Sequence, residues 1–299
     1  MYPVYPYYGY KKESKNVPIA FPPQHQNIHP GYEYVMVPRP ISEDPNYLGS
    51  GKLRGKVAII TGGDSGIGRA VAYAFVKEGA KVVIVYLNEH RDAKETEQRI
   101  RELGGESLLI PIDMKEEQSS EYVVQQTLRR FGKIDIVLNN HAVQYVSENI
   151  LEITKDQLER TFQTNVFAYF YLTKAVLPYL KSGSSIINTT SITAYQGHKK
   201  LIDYSATKGA VVTFTRSLSL SLVNKGIRVN AVAPGPIWTP LIPSSFKEKD
   251  VMKFGVDTPM KRAGQPFELA PTYVYLASDE SRYVSGQVLH VNGGQIVGS

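Results

Sequence analysis

No cysteine occurs among the 299 residues, which excludes disulfides, thiolate metal sites and thiol nucleophiles and fits a reducing compartment. No apolar run approaches the ~18 residues needed to span a bilayer, and the tyrosine-rich start has no signal-peptide core. The expectation is a soluble, cytoplasmic protein with no membrane partner. A strong charge bias is missing as well: the formal net charge is +6, and basic and acidic residues interleave along helical patterns such as Arg91-Asp92-Ala93-Lys94-Glu95. Such stretches are solvated faces, so no nucleic-acid partner is expected, although a mild positive field would suit a phosphorylated cofactor. No metal site is expected. The 42% hydrophobic content suffices for one substantial core.

Residues 1–50 differ from the rest. They hold nine of the 18 prolines and eight of the 20 tyrosines and show no helical or alternating apolar period. Pro22-Pro23, Pro38-Arg39-Pro40 and Pro45 favour extended backbone, so this segment is an arm rather than a domain. Residues 1 to about 15 are expected to be mobile. Residues of about 20 to 50, carrying Phe21, Ile28, Tyr32, Tyr34, Val35 and Met36, are expected to bury those side chains against the body or a neighbouring subunit.

From Gly55 onward strands and helices alternate. Val57 to Ile60 is an apolar strand, Thr61-Gly62-Gly63-Asp64-Ser65-Gly66-Ile67-Gly68 a glycine turn, and Arg69 to Lys77 a helix. That order aims backbone N–H groups and a helix N-terminus at an anionic ligand. Further strands are expected at 81–87, 108–112, 134–138, 185–189, 227–232 and 287–292. Helices are expected at 88–103, 116–131 and 204–224, from Pro266, and as one long run from a Thr154 cap towards Tyr179. Strict alternation of this kind means an α/β fold: a doubly wound parallel sheet between two helical layers. Ligands of such sheets lie beyond the carboxyl ends of the strands. There stand Gly62 to Gly68, Tyr86-Leu87, Asp113-Met114, Asn139-Asn140, Thr190-Ser191 and Pro234-Gly235.

Tyr204 and Lys208 stand four apart on one helical face. A phenol of pKa ~10 is a poor acid–base group at neutral pH, and a neighbouring cation is expected to bring it down towards the working range. Ser191, just after a buried strand, could hydrogen-bond a substrate oxygen.

Together the TGGDSGIG turn, Asn139-Asn140, Ser191, the Tyr204-Ser-Ala-Thr-Lys208 run and the Pro234-Gly-Pro-Ile-Trp-Thr239 run resemble the short-chain dehydrogenase/reductases, which have a three-layer Rossmann fold. The resemblance covers about Gly55 to Ser299 and makes 51–299 a single NAD(P)-binding catalytic domain. It implies hydride transfer between a nicotinamide and a carbonyl or alcohol. Tyr204 would be the general acid or base, Lys208 would lower its pKa and hold the nicotinamide ribose, Ser191 would orient the carbonyl, and Asn165 would anchor a relay water. The cofactor, NAD or NADP, would contact Gly62, Asp64, Ser65, Gly66, Ile67, Gly68, Tyr86, Leu87 and Met114. Asp113 would bond the adenine, Asn140 would support the pocket, and Pro234, Gly235, Ile237 and Thr239 would flank the carboxamide. A homotetramer is implied as well. The arm's Phe21-Pro-Pro-Gln-His-Gln26 and Pro30-Gly-Tyr-Glu33, followed by a Gly-Ser-Gly-Lys-Leu entry, resemble N-terminally extended bacterial members described as general-stress or uncharacterised oxidoreductases.

His141-Ala142 departs from the Ala-Gly usual in that family and puts bulk beside the cofactor's expected path; a packed, hydrogen-bonded imidazole is expected there. The irregular stretch 236–264 reads as a substrate lid. An acid ending the second strand would favour NAD, and a base NADP. Tyr86-Leu87 is neither, so both cofactors are expected to bind within about tenfold of each other, ~1.4 kcal/mol. The competing reading is a dinucleotide-binding structural or coat-associated protein that uses its tyrosine-rich arm.

Overall fold

A computed structural model describes residues 10–12 and 16–297. The mobility expected of the first fifteen residues falls outside these, except that β1 (Tyr10–Lys12) pairs antiparallel with β2 (Asn16–Pro18). The body alternates β3 (Val57–Thr61), α1 (Gly66–Lys77), β4 (Lys81–Tyr86), α2 (His90–Glu102), β5 (Ser107–Pro111), α3 (Glu117–Phe131) and β6 (Ile136–Asn139). It continues through α4 (Lys155–Phe162), α5 (Ala168–Val176), β7 (Ser185–Thr189), α6 (Thr193–Gln196), α7 (Ile202–Leu222), β8 (Arg228–Pro234), α8 (Glu248–Val251), α9 (Pro266–Ala277) and β9 (Val288–Val291). Seven of the strands form one sheet in the order β5-β4-β3-β6-β7-β8-β9, with every pair parallel.

Parallel strands need helical crossovers, so both sheet faces are covered and the strands read as continuous apolar runs. The two-residue period then divides each strand between two cores. Ala58, Ile60, Val82 and Ile84 pack towards α1 and α9. Ile59, Val83, Val85 and Val137 pack towards α3 and α5. The order reverses between β3 and β6, which places a ligand crevice at the ends of those strands.

The long helix expected from Thr154 to Tyr179 is interrupted. Thr154 does cap it, accepting from Gln157 N–H, but Gln163–Phe167 forms a π-helical turn between α4 and α5, and Leu177–Tyr179 is 3-10. The buried Asn165 side chain in that turn is held by the backbone of Val143 and by Thr207. Widening of the ladder accommodates this inward polar group, as π-turns commonly do at functional sites.

Residues 20–50 lie against the body. Phe21 stacks on Trp238 with ring centroids 3.8 Å apart, and both join Met36, Ile242, Val251 and Ala263 in a separate apolar cluster. The indole N–H donates to the Pro38 carbonyl at 2.8 Å. Burial is selective, contrary to expectation: Ile28 and Val35 remain exposed. A 3-10 turn at Glu33–Val35 faces Glu33 inward, leaves Tyr32 and Tyr34 half-buried and turns Val35 outward. The stretch 236–264 is likewise no bare loop, since it carries α8 and shares the arm's cluster.

Trp238 is the chain's single tryptophan and is fully buried under Phe21, so its emission reports arm docking. Phe21→Ala is expected to shift that emission to longer wavelength and to speed tryptic cleavage at Arg39. In the unsubstituted protein Arg39, paired with Glu95 at 2.7 Å, should resist trypsin until global unfolding. Rapid cutting at Arg39 in the intact protein would contradict the docked arm.

Candidate active site

The glycine turn closes β3 onto α1. Gly62 and Gly66 have φ of +63° and +52°, a region costly for residues with a Cβ. Gly68 packs so closely that a Cβ would lie 2.0 Å from the Gly62 carbonyl oxygen. The turn is tied to the end of β6: Thr61 Oγ1 accepts from Asn140 N–H at 2.9 Å, and Asn140 Nδ2 donates to Thr61 O at 3.1 Å.

Beyond these strand ends opens a cleft of about 290 Å³. The turn contributes Gly62, Asp64, Ser65, Gly66 and Ile67 to its lining. Tyr86, Leu87, Asp113, Met114, Asn140 and Thr239 come from other strand ends and loops. Gly68 lies beneath the turn instead. Pro234 ends β8 and Gly235 follows it, where a Cβ would approach Asn292 Cα to 2.6 Å. Ile237 is turned into the main core.

Two buried carboxylates mark one end of the cleft. Asp64 and Glu89 are almost fully buried, and Glu89 accepts from the N–H groups of Leu87 and Asn88 at 3.2 and 2.9 Å. Burial and the neighbouring Glu89 push the Asp64 carboxyl up to about 7. Glu89 stands three residues past the end of β4, beyond the strand-end positions from which the sequence reads cofactor choice. The turn into α2 brings the acid back.

Ser191, Tyr204, Lys208 and Asn165 gather beside this cleft without lining it. All four are buried. Lys208 Nζ lies 5.6 Å from the Tyr204 ring centroid and 5.7 Å from that of Tyr169, and donates to the Thr189 carbonyl at 2.9 Å. Burial pushes the Tyr204 phenol up to about 12, against a hydrogen bond with Ser191 that lowers it. Burial also brings the Lys208 ammonium down to about 7. This corrects the expectation of a phenol lowered by its cation: desolvation outweighs proximity, and the lysine charge is itself costly here. The side chain of Asn165 also bonds Thr207 Oγ1 at 3.1 Å, one residue from Lys208.

His141 lines the cleft, its ring edge-on to Tyr169 at 5.3 Å. The ring is enclosed and packed as expected, with the Thr164 backbone as its polar neighbour. Burial, reinforced by Lys208, holds it neutral with a pKa of about 4. The sequence places the arm on the body but not at the site, where His29, Pro30 and Gly31 line the same cleft. No local pattern signals that a proline-rich segment returns to a strand end far along the chain.

A parallel sheet whose order reverses beside a glycine turn, with a polar cluster at the strand ends, defines a Rossmann-type dinucleotide fold. Residues 62–295 match the family model described as enoyl-(acyl carrier protein) reductase. The chain is 66% identical to the oxidoreductase YhxC of Bacillus subtilis (strain 168), over 93% of this chain and 97% of that one. It is 54% identical to NADPH-dependent aldehyde reductase 1, chloroplastic, of Arabidopsis thaliana, over 92% and 98%. The crystal structure of 3-ketoacyl-(acyl-carrier-protein) reductase from Brucella melitensis complexed with NADH superposes with a TM-score of 0.73 at 32% identity, covering 82% of this chain and all of that one. The chain belongs to the short-chain dehydrogenase/reductase family of oxidoreductases.

Proposed function

We propose that the protein interconverts a carbonyl compound and its alcohol with NAD or NADP. The observation that carries this is the buried Ser191–Tyr204–Lys208–Asn165 cluster beside a glycine-floored cleft. The cleft suits a dinucleotide: Cβ atoms on Gly62 and Gly66 would crowd Asn140 at 3.2 Å and Thr239 at 3.1 Å, so glycine keeps the turn and its backbone close against the cleft. When bound, the nicotinamide supplies or accepts hydride.

The chain's own groups do the rest. In reduction Tyr204 donates its phenolic proton to the carbonyl oxygen, which Ser191 also hydrogen-bonds. A buried donor placed beside the developing alkoxide stabilises that charge more strongly than water would. Lys208 holds the nicotinamide ribose and, when protonated, offsets the phenolate. Asn165, in its π-turn, anchors the water that reprotonates the site. Asp113 bonds the adenine, Asn140 braces the turn, and Pro234, Gly235, Ile237 and Thr239 border the carboxamide end. A homotetramer in the cytoplasm completes the reading. Half-exposed Phe167 and Phe170, the latter 4.2 Å from Phe214, offer apolar surface for subunit contact.

Screening aldehydes, ketones and sugar alcohols against NADH, NADPH and their oxidised forms tests the proposal. Turnover with at least one carbonyl–alcohol pair is expected; a blank across the panel would favour the structural role instead.

Cofactor choice should depend on pH. An ionised Asp64 beside Glu89 opposes the 2′-phosphate of NADP but accepts hydrogen bonds from the hydroxyls of NAD. A raised carboxyl pKa means that this charge is absent well below pH 7 and present above it. The ratio of the NADP Kd to the NAD Kd is therefore expected to rise as pH passes from 6 to 8, read by fluorescence titration. A flat or falling ratio would contradict the placement of these acids beside the adenosine ribose.

A further inference from the structure

The arm crosses the cleft instead of skirting it. On one lip the Glu33 carboxylate accepts from Gly66 N–H at 2.6 Å and from Arg69 Nη1 at 2.5 Å. The backbone N–H groups of Glu33 and Tyr34 donate to the buried Asp92 carboxylate at 2.7 and 3.0 Å. On the other lip Gln26 N–H donates to the Pro243 carbonyl at 2.8 Å, and His29 Nδ1 lies 3.1 Å from Ser244 Oγ. Between these anchors His29, Pro30 and Gly31 line the cleft opposite the glycine turn. Gly31 is pressed onto the 236–264 segment, where a Cβ would sit 2.6 Å from Pro240 O and 2.9 Å from Ser244 Cβ. His29 stacks obliquely on Tyr145 at 5.0 Å, and its Nε2 is buried without a partner.

From this geometry we infer that residues 29–31 are the roof of the dinucleotide site, so that the cofactor is held between the glycine turn and the arm and exchanges only when that bridge lifts. The inference rests on the dinucleotide reading above. A ligand running from the Asp113 end to the Thr239 end passes beneath a backbone anchored on both lips, one of them by buried charged hydrogen bonds. Such anchors are costly to break because they would leave buried charge uncompensated. A roof that must lift slows entry and exit alike, and its contacts with the bound ligand slow release further.

Stopped-flow displacement of NADH and of NADPH from the full-length protein tests the roof. Gly31→Ala lifts the bridge from Pro240, and His29→Ala removes its inner ring without adding bulk. Both variants are expected to release the tighter-bound dinucleotide about tenfold faster or more, while Trp238 emission of the ligand-free protein stays unshifted, showing that the outer arm is still docked. Binding by the unsubstituted protein with unchanged release from both variants would overturn the roof alone. Failure of the unsubstituted protein to bind either dinucleotide would overturn the underlying reading, and the roof with it.

Discussion

Tyr204→Phe is expected to lower kcat by more than ~100-fold on any carbonyl the protein reduces, because a positioned proton donor contributes 10²–10⁴. The phenol is buried, bonded to Ser191 and pushed up to about 12, so it is protonated throughout the neutral range and ready to act as an acid. Phenylalanine keeps the ring and its packing beside Lys208 and Tyr169, and the dinucleotide Kd should stay close to that of the parent. Near-normal turnover by the variant would remove Tyr204 from the chemistry. The neighbouring Lys208 should show a different signature. Its ammonium is destabilised by burial, so Lys208→Met should lose activity and yet melt higher, as buried charges replaced by apolar groups often do.

Glu33→Ala carries the largest expected cost in stability, about 3 kcal/mol, because breaking a buried ion pair from one side leaves the other charge only partly compensated. Arg69, itself buried, would lose the Nη1 partner at 2.5 Å while retaining the Asp92 carboxylate at 3.3 Å and the Asp64 carbonyl at 2.8 Å. Gly66 N–H at the start of α1 would lose its acceptor as well. Urea denaturation followed by circular dichroism reads the effect as a lowered midpoint. The same substitution should shift Trp238 emission, since the arm loses its firmest hold. A midpoint unchanged within error would mean that the arm contributes nothing to the body's stability.

The sheet was legible because parallel strands covered on both faces must be apolar throughout. Val57 to Thr61 and Lys81 to Tyr86 therefore announce themselves within a residue or two of their observed ends. The site was legible in part: Gly62, Tyr86, Asp113 and Asn140 line the cleft because they end or follow parallel strands at the reversal of the sheet order, whereas Ser191, Pro234 and Gly235 also stand at strand ends and do not line it. Other features have no local trace. Glu33 and Arg69 meet across 36 residues, with no periodicity to join them. The π-turn at Asn165 arises from the side chain's bonds to Val143 and Thr207, both distant in sequence. The raised Tyr204 phenol was misjudged because a helix-face pairing shows proximity to a cation but not the burial that outweighs it.

Hydride transfer itself is tested most directly with nicotinamide cofactor deuterated at the transferred position and a reducible aldehyde, with the alcohol product examined by mass spectrometry. The account predicts an alcohol carrying one deuterium on the former carbonyl carbon, formed by the parent protein and at a rate more than ~100-fold lower by Tyr204→Phe. Alcohol formed without deuterium, or label transferred equally well by the variant, would contradict it.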